Sequence, residues 1–250
     1  FDATNVIEQP AACGIAALGL DHERFLLAPE AGVPSDPLER IAFEKAGIAK
    51  PGVPLVAQEY TTGMTKAVLD QAMRAGARPA LRGLDWFAKV GEGIAYRDRH
   101  GALDLPLPAL AGPHQADNAA LAVAMLRHQS ALAVSESSIR QGITAAKWPA
   151  RLQRLRPGPL IGDREVWLDG GHNPSAGAAL AAHFAASDAH PAATCLADAR
   201  QVSLPSRMRE GLGVGSRRFH LIIGMLANKD PAALTAPLAA NAASISDVPV

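Results

Sequence analysis

Val166-Trp-Leu-Asp-Gly-Gly-His-Asn-Pro174 is the stretch on which the fold of this chain turns. Three residues suited to extended backbone run into an acid, a glycine pair, a histidine and an asparagine, and Pro174 stands where a helix would begin. Asparagine is a favoured N-cap, and proline is favoured at the first helical position because its missing N–H is one that a helix start leaves unpaired anyway. The stretch therefore predicts a strand, a tight glycine turn and a helix. Phe219-His-Leu-Ile-Ile223 predicts a second strand, with a loop from Gly224 to Asp230 and a helix opening at Pro231 behind the N-cap Asp230. Strands alternating with helices point to an α/β fold with parallel strands. The turn Asp169-Gly170-Gly171-His172-Asn173 has two readings. Its free N–H groups and the positive end of the helix dipole suit a nucleotide or other anion, with the acid placed to accept from ribose hydroxyls; it also fits a plain strand-to-helix turn capped by Asn173.

Upstream, Trp148-Pro-Ala-Arg151 punctuates the chain, because a proline biases the residue before it away from helix. The domain boundary is placed there, giving domains 1–147 and 148–250. In the first, Cys13 to Leu20 is a short apolar run that reads as a buried parallel strand or a helix turn, and it stops at Asp21-His22-Glu23. Those three residues form either a metal or acid/base cluster or an ordinary solvated loop. A helix over residues 37–46 follows from Asp36 as N-cap, Pro37 at the first position, Glu39 as in a capping box and Gly47 as the stop. Its apolar face of Leu38, Ile41 and Ala42 continues to Lys45, so an amine falls on the buried side; either its stem snorkels out or it serves a site. Val53 to Ala57 predicts a strand, and a helix with Met64, Ala67, Val68 and Ala72 on its stripe ends at Gly76. Ile94-Ala-Tyr96 and Leu103 to Leu107 predict a hairpin about His100-Gly101, followed by helices from Asp117 to Gln129 and from Ser138 to Ala146. Residues 188–217 read as a loop or insertion.

Composition excludes several classes. Among 250 residues, Lys plus Arg (24) balances Asp plus Glu (24), which gives no basic footprint for nucleic acid. No apolar run is long enough to span a bilayer. Cys13 and Cys195 have neither disulfide-framework nor zinc spacing, and a reducing, cytoplasmic setting is expected. The Gly-x-x-x-x-Gly-Lys-Ser/Thr phosphate loop is missing from the sequence, and histidines 100, 114, 128, 183, 190 and 220 show no ligand spacing. The chain begins Phe1-Asp2-Ala3 and ends Ser246-Asp-Val-Pro-Val250, whose Val248-Pro-Val250 run looks like the start of another strand; a fragment truncated at both ends is expected.

Taken in order, Phe1-Asp-Ala-Thr-Asn5, Leu20-Asp-His22, Ile41-Ala-Phe-Glu-Lys-Ala-Gly-Ile48, Gln115-Ala-Asp-Asn118, Trp148-Pro-Ala-Arg-Leu-Gln153, Asp169-Gly-Gly-His-Asn-Pro174 and Gly224-Met-Leu-Ala-Asn-Lys-Asp230 resemble the folylpolyglutamate synthase/dihydrofolate synthase family of the Mur-ligase superfamily. The resemblance implies the C-terminal part of a central P-loop-type ATPase domain over 1–147, then an incomplete, Rossmann-like Mur-ligase C-terminal domain over 148–250. It implies an ATP- and Mg2+-dependent ligase of folate biosynthesis and one-carbon metabolism. Such an enzyme activates a carboxylate as an acyl phosphate and joins L-glutamate to dihydropteroate or to a folate already bearing glutamate.

Residue by residue, His22 resembles the magnesium-ligating histidine and Lys45 the lysine carbamylated near the metal, which would turn an awkward amine into an oxygen donor. Asn118 resembles the adenine-contacting asparagine, Arg151 the arginine reaching the ATP phosphates, and Asp169 the acid near the ribose, with His172 in the same crevice. Phe1, Asp2 and Ala3 match a segment that touches the pterin. The family's phosphate loop, magnesium-binding glutamate and main folate-binding segment precede the position of Phe1, so this chain alone is expected to be inactive. Ala28 to Ser35 and residues 192–218 look inserted. The partners implied are small molecules, with no nucleic acid and no membrane, acting on a monomer. The alternatives are a cell-wall Mur ligase, against which the wording of Glu44-Lys-Ala-Gly-Ile48 and Asp169-Gly-Gly-His-Asn173 stands, and a non-catalytic nucleotide-binding remnant.

Overall fold

In the computed structural model of the chain, residues 5–20, 30–187, 218–225 and 229–248 are described. They form two units: Phe1–Ala109 with Pro113–Lys147, and Leu110–Gly112 with Trp148–Val250. Among the described residues no helix is long and apolar enough to cross a membrane.

The first unit is built on three parallel strands in the order β1 (Cys13–Ile15), β2 (Pro54–Ala57), β3 (Arg78–Leu81), with Cys13 opposite Leu55 and Pro54 opposite Arg78. Period-two alternation divides the central strand between two cores. Leu55 and Ala57 pack with Ala42 and Ala46 of α1 (Pro37–Ala46) and Met64, Val68 and Ala72 of α2 (Thr62–Ala75), while Val56 joins the cluster on the other face. Leu55, Val56 and Val68 are fully buried, each worth roughly 1.5–3 kcal/mol by removal of its side chain from water. Both helices start as their sequences dictate. The Asp36 carboxylate accepts from Leu38 N and Glu39 N (3.0 Å each), and Thr61 caps α2 through Met64 N. Gly76 closes α2 in a left-handed conformation (φ 66°), one that glycine adopts without steric cost.

The apolar run from Cys13 is shorter as a strand than expected. It leaves the sheet after Ile15, where β2 also ends; the Ile15 carbonyl accepts from Gln58 N (3.2 Å), and the Tyr60 hydroxyl sits within hydrogen-bond distance of the carbonyls of Ile15 and Ala16 (2.8 and 2.7 Å). β3 was not foreseen: Pro79 lies within it, tolerated because β3 is at the sheet edge. The expected hairpin is a three-stranded antiparallel meander, β4 (Trp86–Val90), β5 (Ile94–Asp98) and β6 (Gly101–Leu105). It packs Trp86, Tyr96 and Leu103 against Ala120, Val123 and Ala124 of α3 (His114–His128), and Ile139 and Ile143 of α4 (Glu136–Ala145) join the same core. α3 starts three residues before the expected Asp117.

A buried polar cluster bolts the meander to α3. The Asp98 carboxylate has no exposed area and accepts from Arg127 Nε (2.7 Å), Arg127 Nη2 (2.8 Å), His100 N (2.8 Å) and the Tyr96 hydroxyl (3.0 Å). Burial alone would raise the Asp98 pKa, but the hydrogen bonds from Arg127, His100 and Tyr96 outweigh it and hold the carboxyl below its usual range. Burial, reinforced by Asp98, pushes the Tyr96 hydroxyl well above its ordinary value. His128 lies beside this cluster, its Nε2 buried with no hydrogen-bond partner among the described residues, and burial lowers its pKa against the pull of Asp98.

In the second unit, β7 (Gln153–Arg154) pairs antiparallel with β8 (Trp167–Leu168), which opens into α5 (Pro174–Ser187). β9 (Phe219–Ile223) leads to α6 (Pro231–Thr235) and a 3-10 turn over Ala236–Leu238, then pairs parallel with β10 (Ala242–Asp247). One expectation is corrected. The strand from Val166 is only two residues long and, among the described residues, hydrogen-bonds to β7 and not to β9. The strand over Ala242–Asp247, β10, was not foreseen and lies beside β9, while Pro249 and Val250 of the strand expected to start at the final Val-Pro-Val run lie outside the described residues. Asn173 and Asp230 cap their helices as expected, accepting from Ala176 N (2.9 Å) and Ala233 N (3.0 Å). Gly177 of α5 lies against the Leu234 backbone of α6, where a Cβ would clash. The expected insertion at 188–217, and Ala28 and Pro29 of the one at 28–35, lie outside the described residues.

Candidate functional site

In the first unit the carboxyl ends of β2 and β3 run into Gln58 and Arg82, and the first turn of α3 supplies Gln115, Asp117 and Asn118. Arg82 Nη1 donates to Asp117 Oδ1 (2.6 Å) and Gln58 Oε1 (2.9 Å), and its Nη2 donates to the Ala88 carbonyl (2.8 Å). Gln58 Nε2 closes the loop on the Asp117 carbonyl (2.8 Å), while the guanidinium lies 5.6 Å over the Trp86 ring. The network fixes the start of α3 against the strand ends. Asn118 is half-buried there, and its Nδ2 donates to Gln115 Oε1 (3.3 Å), its one side-chain hydrogen bond among the described residues.

Lys45 is half-buried in the last turn of α1, one residue before the fully buried Ala46. On the same helix the buried Arg40 pairs with Glu44 (2.8 Å) and with Glu30 (2.7 Å), fixing the chain just before the helix. Phe1, Asp2, Ala3 and His22 lie outside the described residues, so the expected pairing of His22 with Lys45 has no geometry. No cluster of three or more His, Cys, Asp or Glu able to hold a metal occurs among the described residues, and no step is routed through a metal ion below.

In the second unit, the strand end and the punctuating segment form a single structure. Asp169 Oδ1 accepts from Gly171 N (2.7 Å) and Oδ2 from Leu152 N (2.7 Å). The Ala150 carbonyl accepts from Gly170 N (2.9 Å), and Ala150 N donates to Gln153 Oε1 (2.9 Å). Within this bracket Ala150 (φ 55°) and Leu152 (φ 42°) are both left-handed, at about 1–2 kcal/mol each for residues that carry a Cβ. Arg151, between them, is exposed. Gly171 has no room for a Cβ, which would lie 2.8 Å from Asp169 Oδ1. The exposed His172 ring contacts the Gly170 carbonyl through Nδ1 (2.9 Å). Asp169 and Leu152 also border a cavity of about 370 Å³ walled by Trp167, Phe184 and Phe219.

The structure thus brings Arg151, Asp169 and His172 into one loop cluster of the second unit, with Asn118 and Lys45 in the first. The Gln58–Arg82–Asp117 network escaped sequence reading. Its one trace was that each strand residue directly follows an apolar stretch, at the end where parallel sheets place their ligands.

No protein-family model matches the chain. The dihydrofolate synthase/folylpolyglutamate synthase of Escherichia coli is 36% identical over 178 residues, covering 70% of this chain and 37% of that protein. The solved structure of E. coli FolC in complex with DHPP and ADP superposes with a TM-score of 0.68 at 31% identity, covering 98% of this chain and 48% of its own. A bifunctional folylpolyglutamate synthase/dihydrofolate synthase with Mn, AMPPNP and L-glutamate bound gives a TM-score of 0.68 at 27% identity over the same shares. The chain spans less than half the length of each of these proteins. Over the part that it spans, the chain is a homologue of the folylpolyglutamate synthase/dihydrofolate synthase family.

Proposed function

We propose that this chain carries the adenine- and phosphate-contacting part of an ATP-dependent ligase that adds L-glutamate to dihydropteroate or to a folate already bearing glutamate. The observation that carries the reading is similarity over 98% of the chain to a protein holding DHPP and ADP. Activity is assigned to the protein that also supplies the remaining length of those relatives.

The chemistry is the one that the family resemblance implies. A carboxylate oxygen of the acceptor attacks the γ-phosphorus of ATP and ADP leaves; the glutamate amine then attacks the acyl carbonyl, losing a proton, and phosphate leaves with one former carboxylate oxygen. Both steps gather negative charge on oxygen, which fixed cations and helix N-termini stabilise. Arg151, an exposed guanidinium, matches phosphate geometry bidentately, and its neighbours Ala150 and Leu152 are tied to the glycine turn ahead of α5, whose N-terminus adds a favourable dipole. Asn118 reads the adenine edge with its remaining amide groups. Asp169 and His172, in the second unit, lie on the ribose side of the bound nucleotide. Phe1, Asp2 and Ala3 contact the pterin. Lys45, as a carbamate, and His22 would hold a divalent cation, which would supply charge neutralisation on the phosphates. The protein works as a cytoplasmic monomer on small-molecule substrates.

The test uses protein expressed from its complete open reading frame, supplied with ATP, Mg2+ and labelled L-glutamate, with dihydropteroate and tetrahydrofolate as separate acceptors. Label in either product establishes the ligase and says which step it performs. A folded protein that labels neither overturns the reading.

A further inference from the structure

The bracket around Arg151 has a feature that phosphate binding alone does not require. Two consecutive alternate positions, Ala150 and Leu152, take left-handed backbone conformations although neither is glycine, the residue such positions ordinarily use. Strained backbone persists only where its surroundings over-determine it. Here they do so on every side. Leu152 N is held by Asp169 Oδ2, the Ala150 carbonyl by Gly170 N, and Ala150 N by Gln153 Oε1, while the Leu152 side chain is buried in the unit's core. Arg151, the residue between, has the only one of the three side chains that is exposed. The two flanking left-handed residues turn the backbone so that Leu152 enters the core and Arg151 leaves it.

The carboxylate of Asp169 is the centre of this arrangement. One oxygen shapes the glycine turn ahead of α5 through Gly171 N; the other, seventeen positions away in sequence, fixes the residue after Arg151. We infer that Asp169 is a positioning residue for Arg151: its carboxylate ties the strained arch 150–152 to the glycine turn, so that the guanidinium is presented at the N-terminus of α5, where phosphate is to bind. The inference rests on the proposed nucleotide reading. It makes the effect of Asp169 on the nucleotide run through Arg151 rather than through a ribose hydroxyl.

The two roles differ in what they couple to. The experiment measures KM for ATP and kcat, in protein from the complete open reading frame, for wild type, Asp169→Asn, Arg151→Ala and the double variant, and repeats wild type and Asp169→Asn with 2′-deoxy-ATP and 3′-deoxy-ATP. Asparagine keeps one acceptor oxygen and loses the other, so Asp169→Asn raises KM for ATP by about tenfold. In the Arg151→Ala background the same change costs at most about twofold, because the residue it positions is gone. Its penalty is the same for ATP and for both deoxy nucleotides. Penalties that multiply, or a penalty that disappears with a deoxy nucleotide, overturn the inference and return Asp169 to direct ribose contact. Should Asp169→Asn fail to fold, Gln153→Ala loosens the arch from its other side and must show the same dependence on Arg151; additive penalties there refute the arch. A wild-type protein that makes no product rejects the nucleotide reading before any variant is compared, whereas an active wild type whose Asp169 and Arg151 act independently rejects only the positioning role.

Discussion

Asp98→Ala tests whether the meander and α3 are held by the buried ion pair. The carboxylate is wholly inaccessible and the Arg127 side chain is 13% exposed, so the substitution leaves a largely desolvated guanidinium without its counter-charge. It also strips the acceptor from His100 N and the Tyr96 hydroxyl. Breaking a buried pair on one side costs about 3–5 kcal/mol. Arg127 keeps a hydrogen bond to the Gly101 carbonyl (3.3 Å) and its place over the Tyr96 ring, which puts the expected loss near the lower end, about 3 kcal/mol. The assay is urea unfolding read by amide hydrogen exchange in peptides from residues 86–105 and 114–128, which report this unit alone. Because the folded Asp98 pKa is lowered, its contribution is complete above the unfolded value of about 3.9 and disappears as pH falls through the folded value. The penalty of the variant therefore shrinks on acidification below about pH 4. Replacing both partners with Asp98→Leu and Arg127→Met leaves no orphaned charge and costs far less than Asp98→Ala. A single-variant loss below about 1 kcal/mol, the worth of a surface pair, refutes the reasoning.

His128 is buried with a lowered pKa, so the unfolded chain takes up its proton first. The contribution of the neutral His128 to the stability of the first unit is complete above the unfolded value of about 6.5 and is lost as pH falls below it, and His128→Leu flattens that slope in urea titrations; an unchanged slope contradicts the assignment. Gly177→Ala forces a Cβ against the Leu234 backbone and lowers the stability of the second unit by about 1–3 kcal/mol, checked by exchange in α5; a neutral effect contradicts the packing of α5 on α6. Lys45→Ala, in protein from the complete open reading frame, lowers glutamate incorporation by roughly a hundredfold or more. Wild-type activity falls when bicarbonate is removed, and activity that survives the substitution without bicarbonate dependence removes the carbamate role.

Local chemistry was legible where it was self-sufficient. Asp36 and Pro37 announce α1, Gly76 ends α2, and Asn173 and Asp230 cap their helices, because each device acts within a few residues of itself. What the sequence hid depends on distant partners. Pro79 disguises β3, whose strand character comes from pairing with β2 at an edge. Arg40 looks like a solvated helix residue until Glu30 and Glu44 enclose it. Asp117 meets Arg82 from 35 positions away. The same divide runs through the candidate site. Family motifs marked Asn118, Arg151 and Asp169, and local reading marked the glycine turn. No pattern announces that Ala150 and Leu152 are left-handed, since that conformation is imposed by Asp169, Gly170 and Gln153.

The most direct test of the account follows an oxygen atom. Acceptor labelled with 18O in its carboxylate is incubated with ATP, Mg2+, L-glutamate and the protein from its complete open reading frame, and the released inorganic phosphate is analysed by mass spectrometry. Ligation through an acyl phosphate transfers one labelled oxygen to phosphate for every glutamyl product formed. Product accompanied by wholly unlabelled phosphate contradicts the acyl-phosphate mechanism, and label-free phosphate with no product contradicts the ligase itself.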